Sequence, residues 1–129
     1  MILLLDTSTP EVSLTLVDEG VQQARLFWQA DRQLAHGLLG WLHDALEQHN
    51  KDWQDLSAIG VYHGPGSFTG LRIGIAVCNT LADSLDIPIV SAGGDDWQRS
   101  VLERLERHES EGIVMPEYGR DARITTPRK

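Results

Sequence analysis

The sequence predicts an α/β fold, one mixed five-stranded sheet covered by helices. Three features lead to it. The chain opens on a short continuous apolar run, and two strand-like segments joined by a turn signal follow. After residue 30, helical spacing alternates with further apolar runs. The implied order is βββαβαβα. Three successive antiparallel strands followed by strands reached through crossover helices give one sheet with both kinds of pairing.

Each element has a local reason. "ILLLD" (2–6) is apolar without alternation, as a central strand buried on both faces would be. "EVSLTLV" (11–17) alternates, with Val12, Leu14 and Leu16 on one face and Ser13 and Thr15 on the other. "DEG" (18–20) marks a hairpin turn, and "VQQARLFWQA" (21–30) is the third strand. Over 31–48, Leu34, Leu38, Leu42 and Leu46 recur every four residues, and Asp31 is the expected N-cap. Gly37 and Gly40 each cost this helix about 1 kcal/mol relative to Ala, while thinning its surface for a close neighbour. "AIGVYH" (58–63) is the fourth strand, 67–85 the second helix, "IPIVSA" (87–92) the fifth strand and "WQRSVLERLERHE" (97–109) the last helix. The expected organisation is a lobe over 1–92. A linker, a C-terminal helix and a basic tail follow over 93–129 and pack on the same domain.

At 129 residues with a formal charge of -8, the chain fits one domain and lacks the basic footprint of a direct nucleic-acid binder. Residues 1–111 carry 7 basic and 17 acidic side chains, whereas 112–129 carry 4 and 2. Cys78 is the only cysteine, which excludes an internal disulfide and suits the cytoplasm. The opening run lacks a positively charged start and breaks at Asp6, so neither a signal peptide nor a membrane span is expected.

Residues 63–75, "HGPGSFTGLRIGI", lie between a strand and a helix. A glycine-rich link of this kind can aim N–H groups at an anion. The spacing departs from both the dinucleotide fingerprint and the nucleotide P-loop, and Pro65 removes a donor. Two readings follow: a phosphate contact by Ser67 and Thr69 with Arg72 as counter-charge, or a sharp turn with Ser67 as N-cap. The helix behind it has few polar residues (Arg72, Asn79, Thr80 and Asp83), and Gly70, Gly74, Cys78 and Ala82 form a stripe of small side chains. A greasy, notched helix predicts a protein–protein interface. With the helix at 31–48 beside it, the expected contact residues are Leu34, Leu38, Leu42, Gly70, Leu71, Gly74, Cys78 and Ala82.

Other chemistry is set aside. His36 and His43 stand two helical turns apart, too far for one ion, and His49, His63 and His108 form no ligand set in sequence, so no metal site is expected. No GxSxG elbow is present, and Cys78 within the apolar helix reads as a packing residue.

"MILLLDTSTPEVSLTLVDEG" and "GPGSFTGLRIGIAVCNTLA" (64–82) resemble the TsaB family of bacterial tRNA threonylcarbamoyladenosine biosynthesis proteins, and Pro116-Glu117-Tyr118-Gly119-Arg120 is faintly similar to that family's C-terminal motif. The resemblance implies an RNase H-like lobe of the actin, Hsp70 and sugar-kinase type. It also implies a non-catalytic partner that docks on a TsaD-like catalytic subunit, joined by a TsaE-like ATPase, and that forms a homodimer when alone. No cofactor is expected. Family members usually carry a second lobe, so the chain reads as a shortened member with half a nucleotide cleft. Asp6 would be the metal–phosphate residue of a kinase-like relative, followed by Thr7, Ser8 and Thr9; its simpler reading is a hydrogen bond to its own turn. The alternative function is therefore a nucleotide- or phosphate-binding enzyme using Asp6, Thr7, Ser67, Thr69 and Arg72. A peptidase reading lacks both metal ligands and a nucleophile motif.

Overall fold

A computed structural model describes residues 1–115. The similarity at Pro116–Arg120 and the basic tail with Arg120, Arg123, Arg128 and Lys129 lie outside the described residues.

The elements run β1 (Ile2–Asp6), β2 (Glu11–Asp18), β3 (Val21–Gln29), α1 (Leu34–Gln48), β4 (Ala58–Tyr62), α2 (Phe68–Leu85), β5 (Ile89–Ala92) and α3 (Trp97–Glu106). They form the expected order and one mixed sheet, β3-β2-β1-β4-β5, with β1 at its centre. β1 pairs antiparallel with β2 and parallel with β4, and β4 pairs parallel with β5. Leu3, Leu4 and Leu5 are all fully buried because the sheet is covered on both faces. Leu3 and Leu5 join the layer under α1 and α2, with Leu38, Leu42, Leu71 and Cys78. Leu4 points the other way and packs with Val17, Val90, Trp97 and Val101 beneath α3. That second layer also buries Thr15, whose hydroxyl accepts from Gln98 Nε2 at 3.2 Å.

Two local expectations are corrected. Asp31 is not a helix cap. It sits at φ 49°, and its carboxylate accepts from Gln29 Nε2 at 2.9 Å. A 3-10 turn over Asp31–Gln33 leads into α1, which starts at Leu34 without a side-chain cap. The final helix ends at Glu106 rather than 109, because Arg107–Val114 turns back along the edge of β5.

That return closes the sheet on one side. Ile89 N–H donates to Ser110 Oγ at 3.2 Å, and Ile89 O accepts from Glu111 N–H at 2.8 Å. Ser91 N–H donates to the Glu111 carboxylate at 2.6 Å, and Ser91 O accepts from Arg104 Nη1 at 2.8 Å. Each outward-facing backbone group of β5 thus has a partner that no second chain has to supply. Arg104 organises the closure by also holding Glu109 at 2.7 Å and Glu111 at 3.1 Å. Further along, Val114 and the Asn79 side chain of α2 exchange two hydrogen bonds at 2.9 and 3.1 Å.

Glu111→Ala leaves the N–H and hydroxyl of buried Ser91 without their carboxylate acceptor, and should cost about 1–3 kcal/mol in urea unfolding. The hydrogen bond from Arg104, then that from Arg107, holds the Glu109 carboxyl below its ordinary range. Its folded value is the lower one, so its contribution is complete above the ordinary carboxylate range and fades as pH falls through the depressed value. Arg104→Met should flatten that acid limb of stability against pH, measured as urea midpoint from neutral to acidic buffer.

Candidate functional site

The glycine turn joins β4 to α2 at the C-terminal end of β1. Ser67 caps α2 as expected, its Oγ accepting from Gly70 N–H at 3.4 Å. Its own N–H donates to Ser8 O at 3.0 Å, which ties the turn to the segment linking β1 and β2. Thr7 is fully buried and donates through Oγ1 to Gly70 O at 2.7 Å. The glycines exist for this approach. A Cβ on Gly66 would collide with Ser8, one on Gly70 with the Thr7 carbonyl, and one on Gly74 with the Thr7 side chain. The space beside these glycines is therefore filled by the chain itself.

The five phosphate-site candidates do not converge. Asp6 Oδ1 accepts from Ser8 N–H at 2.8 Å, the turn-forming bond that the simpler reading expected. Thr7 is committed to Gly70. Ser67 and Thr69 line a groove whose walls include neither Asp6 nor Thr7. Arg72 projects from the outer side of α2, with its guanidinium 5.2 Å from the centroid of the Phe68 ring. Cys78 is fully buried, and burial pushes its thiol up to about 12, so it packs rather than reacts.

Leu34, Leu38, Leu42, Gly70, Leu71, Gly74, Cys78 and Ala82 are all buried within the chain. The small stripe of α2 does admit a close neighbour, but at Gly70 and Gly74 that neighbour is the chain's own Thr7. A signal for this was present. At about 100° per residue, Arg72, Asn79, Thr80 and Asp83 fall within an arc of roughly 100°. The helix is thus amphipathic, and its polar residues mark the outward side.

What α1 and α2 offer outward is a different set. Leu39 and Phe68 are about half exposed, at 51% and 49%. Ala35, Thr69, Arg72 and Ala76 are exposed, and Ile73 is half-buried. The starts of the two helices flank a groove of roughly 530 Å³, with Leu34, Ala35 and Ile73 as apolar walls and Thr9, Asp31, Arg32, Ser67 and Thr69 as polar ones. The surface mixes exposed apolar side chains with the charges of Asp31, Arg32 and Arg72.

Sheet order and layering define the class, a single RNase H-like lobe. Residues 28–92, half of the chain, match the family model described as TsaD: tRNA N6-adenosine threonylcarbamoyltransferase, and the chain belongs to this family, among its TsaB members. It is 39% identical over 125 residues to the tRNA threonylcarbamoyladenosine biosynthesis protein TsaB of Bacillus subtilis, covering 95% of this chain and 50% of that protein. The Escherichia coli protein of the same name is 34% identical over 69% of this chain and 38% of its own length. A crystal structure of an uncharacterized Pseudomonas aeruginosa protein with similarity to peptidase YEAZ superposes with a TM-score of 0.66. It is 35% identical, covering 71% of this chain and 42% of the other. The chain spans about half the length of the curated relatives it matches. Among the described residues no helix is long and apolar enough to cross a membrane.

Gly74→Leu should destabilise the lobe by about 1–3 kcal/mol or more through overpacking against Thr7, visible as a lowered thermal midpoint. An unchanged midpoint with altered association would return Gly74 to the surface.

Proposed function

We propose that this chain is a docking subunit in the biosynthesis of threonylcarbamoyladenosine in tRNA. It seats on a TsaD-like catalytic subunit through the outward faces of α1 and α2 and has no reaction centre of its own. The observation that carries the reading is the apolar side chains on adjacent helices, Leu39 on α1 with Phe68 and Ile73 on α2, within the segment that matches the family model. The relatives named for threonylcarbamoyladenosine biosynthesis supply the process. The use of Asp6, Thr7 and Ser67 within the fold supports a scaffold over an enzyme. In this reading a TsaE-like ATPase joins the same assembly, and the chain pairs with itself through the same face when its partner is absent. Its place of work is the cytoplasm.

The test is co-expression with the organism's TsaD-like protein, followed by affinity capture and sizing. Leu39→Asp and Ile73→Asp, at half-exposed or half-buried positions, should each lower capture by tenfold or more while leaving the far-UV dichroism unchanged. Capture at the parental level in both variants would remove α1 and α2 from the interface. Calorimetry with ATP and Mg²⁺ addresses the nucleotide-binding alternative. The docking reading expects no saturable heat, and tight binding lost in Arg72→Ala would favour the enzyme.

A further inference from the structure

Towards the C-terminal end of α1, one side-chain cluster combines an imidazole with three carboxylates. His43 and Glu47 stand one helical turn apart on α1, and Asp52 returns beside them after the helix has ended. His43 Nε2 lies 3.4 Å from Asp52 Oδ1 and 3.9 Å from Glu47 Oε2. The donor atoms of His43, Asp44 and Glu47 all lie within 4.8 Å of one another. The longer of the two separations exceeds a direct hydrogen bond. Two donors each held at about 2.0–2.2 Å from a tetrahedral ion stand roughly 3.4 Å apart, the separation of His43 from Asp52; the other donors stand wider and would draw in on a bound ion.

The groups are held in place before any ion arrives. The His43 ring stacks on Trp53, with centroids 5.4 Å apart and planes inclined at 29°. Asp52 is fixed by a reciprocal cap on the 3-10 turn Trp53–Asp55. Its Oδ1 accepts from Trp53 N–H at 2.8 Å, while its own N–H donates to Asp55 Oδ2 at 2.8 Å. Asp44, Glu47 and Asp52 have no Lys or Arg ion-pair partner among the described residues. Negative charge converging on one imidazole nitrogen is thus left for a cation to neutralise.

We propose that His43, Asp44 and Glu47, with Asp52 beside His43, form a surface site for a divalent transition-metal ion of the zinc class. One nitrogen donor among carboxylates favours Zn²⁺ or Ni²⁺ over Mg²⁺, which prefers oxygen ligands and gives up its water reluctantly. The position at the end of α1, bridging to the next turn, would let the ion pin the 48–55 segment to the helix.

Titrating the full chain with ZnCl₂ in a non-chelating buffer tests the site. The expected result is one saturable site per chain, weakened at least about tenfold in His43→Gln, since even outer partners of metal ligands are worth about 10–100-fold. Glu47→Gln, an exposed change that leaves the His43–Trp53 stack intact, should weaken it several-fold. NiCl₂ should quench tryptophan fluorescence, and Trp53→Phe should remove most of the quenched signal. No saturable Zn²⁺ binding, or binding equally strong in His43→Gln, overturns the proposal. So does an affinity for MgCl₂ equal to that for ZnCl₂, which would mark a diffuse acidic surface.

Discussion

The lobe depends on one contact, the seating of Thr7 against the first turns of α2. The residue is fully buried just beyond the central strand, and its hydroxyl is bonded to the Gly70 carbonyl. Gly70 and Gly74 leave no side chain in the way, so strand and helix come within backbone distance. β1 is the one strand that joins the antiparallel half of the sheet to the parallel half. Fixing α2 to its end therefore fixes the height of the whole helical layer. The cap on Ser67 and the bond from its N–H to Ser8 follow from the same approach.

The two edges of the sheet are managed differently. β5 is sealed by Arg107–Val114 and by Arg104 reaching across from α3, so its outward groups are satisfied by the chain's own polar atoms. β3 is the opposite edge, and it carries Val21 and Phe27 more than half exposed. Arg25, whose guanidinium lies 5.4 Å from the Phe27 ring centroid, places a charge on that strand. A charge on an exposed strand is a common way of limiting edge-to-edge pairing. The stronger closure is where the parallel strands end, and it costs a salt-bridge network in which the partly buried Arg104 is the shared member.

Much of this was legible in the residues. Strand existence and order followed from the unbroken "ILLLD", the alternation of Val12, Leu14 and Leu16, and the change to fourfold leucine spacing after residue 30. The Ser67 cap and the Asp6 turn were also readable, because both are bonds between residues two or three apart. The contact surface was not. Glycine and alanine every fourth residue announce that a neighbour comes close without saying which, and Thr7 lies more than sixty residues away in sequence. Asp31 failed as a cap for a related reason. Its own backbone takes a left-handed turn and its carboxylate is used by Gln29, a choice that propensity alone does not encode. The pairing of His43 with Asp52 likewise requires the chain to turn back after α1.

The glycine-rich stretch within the family match is used by the fold itself. At 66, 70 and 74 only glycine avoids a collision, and Ser67 is needed to end the run of free N–H groups at the helix start. A motif can be this restrictive for reasons of packing alone. Ser67 Oγ and the Gly70 carbonyl are used by the fold, and the consequence of the tight seat appears elsewhere. It holds α1 and α2 side by side, so that the outward residues of the two helices, rather than the glycines beneath them, make the surface on which the docking proposal rests.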